Sequence, residues 1–138
     1  MNGTYTLLIR LAADAAITVG ALGELEFDHG FYGYTGSAFG PGGFARVDRH
    51  RRTAAGDNET RHWHIDHLLA HPEAAIVDVF TLEGEDRECD IAQELPGEPV
   101  DGFGASDCSC GSHLMFSRDR DELAAALASV YPSNSSEI

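Results

Sequence analysis

Arg46, Arg49, Arg51, Arg52 and Arg61 put five of the chain's nine basic residues within sixteen positions, and all nine are arginine. A guanidinium presents a planar fork of donors that matches the oxygens of a phosphate better than an ammonium point charge does. The cluster therefore points to a phosphate-bearing partner, and its plain alternative is a solvated helix face. The stretch RHWHIDHLLAHPE places His64, His67 and His71 at i, i+3 and i+7, roughly one helix face. It is not H-E-x-x-H, and Asp66 does not supply that motif's Glu. Cys108-x-Cys110-x-x-His113, with Cys89 upstream, offers three thiolates and one imidazole, a soft donor set that suits Zn²⁺. Against zinc stand the tight C-x-C spacing and the ease with which Cys89 serves as a small core residue. Ordering of the loop by Ser106, Asp107 and the cysteines without metal is the favoured reading.

Residues 30–50, GFYGYTGSAFGPGGFARVDRH, crowd glycines and aromatics ahead of the arginines. A Walker A loop needs G-x-x-x-x-G-K-[ST], and the chain has no Lys. A Rossmann fingerprint needs a parallel β-α-β unit, which the short connections before this stretch do not allow.

The elements that must position these side chains belong to a chain of 138 residues, enough for one modest core. A single domain over 1–131 is expected, with 132–138 as a flexible tail. The net charge of −14, carried with arginine alone, suits a protein kept soluble in the cytoplasm of a halophile. Molar salt shortens the Debye length to about 3 Å, so the acidic surface does not exclude a nucleic acid. The local arginine cluster is then the better guide to partners. The apolar runs are broken by Arg10, Asp14 and Asp78, which excludes a membrane span, and no secretory signal opens the chain. A cytoplasmic location is expected. The three cysteines cannot all pair with one another, and that compartment argues against structural disulfides.

TYTLLIRLA (4–12) reads as a strand, ITVG and ELEF as a hairpin, and GFYGYTG (30–36) as a third strand completing an antiparallel meander. GFARVDRHRR reads as a polar, exposed helix, TAAGDNET as a loop, and RHWHIDHLLA as a helix stopped by His71-Pro72. AAIVDVFTL (74–82) reads as a buried strand and DRECDIAQEL as a short helix. Pro96 to Gly111 reads mostly as loop, SHLMF as a strand and DRDELAAALASVY as an amphipathic helix. The fold class expected is a small α/β (α+β) protein with a central, mainly antiparallel sheet flanked by helices.

Read together, GTY (Gly3, Thr4, Tyr5), YTG (Tyr34, Thr35, Gly36) and the Arg46-x-x-x-His50 helix resemble the GIY-YIG endonuclease superfamily. In particular they resemble its small stand-alone archaeal Uri-type branch. The resemblance extends through GYTGSA, GGFARVDRH, RHWHIDHLL and GASDC, nearly the whole chain. It implies that Tyr5 and Tyr34 lie on adjacent strands facing a scissile phosphate and that Arg46 projects from the first helix. Glu88, opening ECDIAQEL, would hold one Mg²⁺ or Mn²⁺. The activity implied is metal-dependent hydrolysis of DNA, with Tyr5 as base, Tyr34 beside it and Arg46 as clamp. His50 completes the helix motif, and His62, or else His64, would contact phosphate or polarise the base. Arg49, Arg51, Arg52 and Arg61 would then serve nucleic-acid binding. The two tyrosine motifs are farther apart than in compact members, implying an inserted hairpin around Ile17 to Phe27, and GPGG lengthens the loop before the helix.

These residue types make chemical sense on their own terms. Phosphodiester hydrolysis needs a base for water and cations to neutralise the developing charge. A domain this small has little room for a separate sequence-reading module, so structure-specific or weakly selective cleavage is expected. The competing readings are a non-catalytic nucleic-acid-binding module of the same fold and a zinc-ordered protein-interaction domain.

Overall fold

The computed structural model describes residues 3–19, 22–38, 43–56, 64–85, 87–100 and 112–131, with the side chains of Glu88, Cys89 and Gln93 outside that set. Strand β1 (Gly3–Leu11) runs through the middle of a five-stranded sheet, and eight of its nine residues are buried. That is the reason its sequence is a nearly unbroken apolar and Thr run: both faces are covered. Its neighbours are β4 (Gly30–Ser37) and β5 (Ala74–Glu83), both antiparallel. Strands β7 (Leu114–Ser117) and β6 (Glu98–Pro99) extend the sheet beyond β4, in the order β5-β1-β4-β7-β6.

The hairpin β2 (Ala15–Thr18) and β3 (Glu24–Phe27) pairs as expected but forms a separate two-stranded sheet. The meander expected from the sequence is corrected accordingly: β1 pairs directly with β4, from Thr4 opposite Ser37 to Leu11 opposite Gly30. The hairpin is an excursion that lays Ile17 and Phe27 on the core instead of adding strands between them.

Among the described residues four helices flank the sheet: α1 (Ala45–Ala54), α2 (His64–Leu69), α3 (Glu88–Glu94) and α4 (Arg120–Val130). Alternation along β1 divides the core in two. Tyr5, Leu7, Ile9 and Leu11 pack with Val47 of α1, with Ile65, Leu68 and Leu69 of α2, and with the hairpin. Leu8 packs with Phe80, with Ile91 and Leu95 at α3, and with Leu123, Leu127 and Tyr131 at α4. On this second face Gly33 makes room for the helices: a Cβ there would lie 3.0 Å from Leu95 Cδ1 and 3.5 Å from Leu123 Cδ1, side-chain ends that can give way. Helix α4 starts cleanly because the Asp119 carboxylate accepts from the backbone N–H groups of Asp121 and Glu122.

Strand β5, expected to be buried, is an edge strand with only Ala74 and Phe80 buried. A short apolar run does not tell whether one or two faces are covered. Its register shifts opposite Leu8 and Ile9, which pair with Asp78 and Ile76 and leave Val77 bulged and 37% exposed. Asp78 Oδ1 accepts from the N–H of Val79 at 2.8 Å. Helix α1 takes in Thr53 and Ala54 from the expected loop and is less exposed than expected, since Val47, His50 and Thr53 are buried. Among the described residues no helix is long and apolar enough to cross a membrane.

Candidate active site

Tyr5 stands opposite Gly36 in the β1–β4 ladder and Tyr34 stands opposite Leu7, so both rings emerge on the α1/α2 face of adjacent strands. Their centroids are 6.5 Å apart and the planes are tilted by 53°. A Cβ on Gly36 would lie 2.6 Å from Tyr5 Oη and 2.7 Å from its Cζ. The absence of that carbon is what lets the phenol lie across the neighbouring strand. At the start of β1, a Cβ on Gly3 would collide with the Leu82 carbonyl oxygen and come within 2.8 Å of Phe44 Cζ. Each motif glycine thus has a steric reason within the structure.

Helix α1 delivers His50 to both tyrosines, with centroid distances of 5.5 Å to Tyr5 and 6.2 Å to Tyr34. Tyr5 Oη and His50 Nε2 share a hydrogen bond of 2.7 Å, buried from solvent. Burial, ahead of the charges of Arg49 and Arg46, pushes the His50 pKa down to about 4, with Asp66 opposing the shift. The imidazole is therefore neutral at ordinary pH, and a neutral ring nitrogen can accept the phenolic proton. One turn before His50 on the helix, half-buried Arg46 donates Nη1 to the carbonyl of Ser37, at the end of β4, over 2.6 Å. Tyr5, Tyr34, Arg46 and His50 therefore converge.

Glu88 opens α3, and its side chain lies outside the described set. What is described is how that helix start is held. Thr4 Oγ1 donates to the carbonyl of Glu85 at 2.6 Å and accepts from the N–H of Arg87 at 2.9 Å. The residue next to Tyr5 thus ties the segment leading into Glu88 to β1.

Arg49 turns its fork to Asp66 of α2, with Nη1–Oδ1 and Nη2–Oδ2 both 3.1 Å. Arg51 and Arg52 are exposed on α1. Arg61 and His62 lie outside the described residues. His64 is half-buried, and burial, then His67, holds its pKa below the usual range. His113 is buried with its pKa lowered by that burial, and its carbonyl accepts from the Thr35 N–H at 3.0 Å. Cys108, Cys110 and the Cys89 side chain lie outside the described set. Among the described residues no group of three or more His, Cys, Asp and Glu side chains could hold a metal.

Sequence reasoning passed over Thr4 and Asp66. A signal for Asp66 was present, since an acid within HIDHLL falls at a position the helix buries and must find a cation. The preceding helix supplies one. For Thr4, a hydroxyl in a strand carries no such mark.

A family described as a domain of unknown function, DUF123, matches residues 4–135. No curated protein and no solved structure gives a match.

Proposed function

The chain belongs to the DUF123 family, and we propose that it is a GIY-YIG-type, metal-dependent endonuclease hydrolysing DNA phosphodiester bonds, structure-specific or weakly sequence-selective. The observation that carries this reading is the 2.7 Å contact of Tyr5 Oη with a neutral His50 Nε2, beside Tyr34 and one helix turn from Arg46. Tyr5 is the base. Its O–H donates to the neutral Nε2, which orients the phenol; once its proton has passed to solvent, the phenolate, favoured by the nearby Arg46 guanidinium, takes a proton from the attacking water. Tyr34 borders the same pair. Arg46, placed by the hydrogen bond of its Nη1 to the Ser37 carbonyl, is the electrostatic clamp for the non-bridging phosphate oxygens. Arg51 and Arg52, with Arg61 and His62 as further candidates, attract the nucleic-acid backbone.

Glu88 would offer the metal one hard carboxylate oxygen, which suits Mg²⁺ or Mn²⁺, since such an ion keeps several waters and takes further oxygens from the substrate. A bound ion supplies Lewis-acid polarisation of the phosphate.

The test is nicking of single-stranded, branched and duplex DNA at high salt with Mg²⁺ or Mn²⁺. Tyr5→Phe and Glu88→Ala each lower cleavage by about 10²-fold or more under this proposal, and wild-type activity in both variants overturns it. A second reading, a binding module without catalysis, draws on the burial of Tyr5 and His50, which are 1% and 0% exposed. DNA binding without cleavage, indifferent to Glu88→Ala, would decide for it.

A further inference from the structure

The Arg49–Asp66 pair joins α1 to α2 through two parallel hydrogen bonds of 3.1 Å. The Asp66 side chain is fully buried and that of Arg49 is 16% exposed. A fork-to-fork pair fixes the orientation of two planes as well as their distance. It is made one residue from His50, on the stretch of α1 that carries the imidazole to Tyr5. Facing His50 are Tyr5 from β1, Tyr34 from β4, Arg46 and Arg49 from α1 and Asp66 from α2. Asp66 is the anion of that set. An imidazolium formed there would meet two guanidinium groups, and Asp66 offsets one of them. Both Nη atoms of Arg49 already serve this carboxylate, so turning them to a DNA phosphate would leave a buried charge without its counterion, a costly exchange.

We propose that Asp66 and Arg49 form a charge-balanced strut that holds His50 against Tyr5, which makes both positioning residues for the hydrolysis and removes Arg49 from the phosphate-binding surface. The inference rests on reading Tyr5 and His50 as the reacting pair. Asp66→Asn, Arg49→Gln and the double variant of the full chain test it, with two readouts. One is kcat and KM for nicking of a DNA oligonucleotide. The other is the ¹³C resonances of Tyr5 Cζ and His50 Cε1 at neutral pH, which follow the hydrogen bond without turnover.

Each single variant should lower kcat by about tenfold or more while KM stays within about twofold, since the geometry of the pair and not DNA affinity is lost. Both resonances should move. The double variant, which removes both charges together, should recover most of the lost kcat and return the resonances toward their original positions. The opposite result is a raised KM in Arg49→Gln, a salt dependence of binding reduced by about one counterion, and an unaltered kcat in Asp66→Asn. Arg49 would then be a phosphate ligand and the strut would be refuted. Should Asp66→Asn not fold, Arg49→Lys keeps the charge and loses the fork. A lower kcat with displaced resonances supports the strut, and unchanged values overturn it. If the wild-type chain does not nick DNA, the nuclease reading fails, and the resonances alone decide: moved in the singles and restored in the double supports the strut, unmoved refutes it.

Discussion

Each face of the sheet buries a tyrosine hydroxyl, and the two are given different company. On the α3/α4 face, Tyr131 Oη lies 2.7 Å from Thr6 Oγ1, which lies 2.9 Å from Thr35 Oγ1. Those partners are neutral alcohols, and burial pushes the Tyr131 phenol up to about 12. On the α1/α2 face, Tyr5 meets an imidazole at the same 2.7 Å, on a helix that also carries Arg46 and Arg49. A ring of hydroxyls satisfies a buried phenol and keeps its proton. On the α1/α2 face the acceptor is a neutral imidazole beside Arg46 and Arg49, whereas on the other face burial outweighs the weaker opposing pull of Arg87 on Tyr131.

The sharpest way to test this contrast is a pair of matched substitutions. Tyr5→Phe and Tyr131→Phe should each cost about 1 kcal/mol of stability, the usual worth of a buried hydrogen bond. Only Tyr5→Phe should reduce nicking, by about 10²- to 10⁴-fold. Equal losses of activity in both would erase the distinction between the faces. Next in size, Asp66→Ala leaves the Arg49 guanidinium without its carboxylate and should destabilise the fold by about 3–5 kcal/mol in urea titrations. On the other face the ion pair of Arg87 with Glu94 is largely exposed, so breaking it should cost under about 1 kcal/mol.

A third effect, about 3 kcal/mol, is pH-dependent. His50 titrates near 4 in the folded chain against 6.5 for the free side chain, so the unfolded chain takes up its proton first. The contribution is full above pH 6.5, declines as pH falls, and is gone once pH passes below about 4. His50→Gln should flatten this limb, leaving the smaller losses in the same direction from His64 and His113. Stability measured between pH 7 and 4 would show it, and an unchanged slope would mean that His50 is not buried neutral. The smallest contrast is between two glycines. In Gly36→Ala the new carbon presses on the Tyr5 ring, expected to cost about 1–3 kcal/mol and most of the activity. In Gly33→Ala it meets the mobile end of Leu95 and should cost under about 1 kcal/mol, with nicking retained.

The parts of this arrangement legible in the sequence were those with a local mark. The strand character of 4–12, the hairpin, and the Arg46-x-x-x-His50 spacing each follow from neighbouring residues, and Tyr5 and Tyr34 stand in short ordered motifs. Convergence of those four side chains depends on β1 lying against β4, and the hairpin between them concealed that pairing. Strand β5 reads as buried because Ala, Ile, Val and Phe say nothing about sheet order. Arg49 reads as one of a row of surface cations because its carboxylate comes seventeen positions later on another helix. Thr4 was invisible for the same reason, as its hydroxyl serves a segment more than eighty residues away.

The rims of the five-stranded sheet carry a consequence for assembly. At one rim Val77 bulges and Asp78 occupies the Val79 amide, and at the other stands a two-residue strand ending in Pro99. Neither offers the flat row of donors and acceptors that a foreign strand would need. If two copies of this chain associate, pairing of these rims into one continuous sheet is disfavoured, so each copy keeps its own sheet.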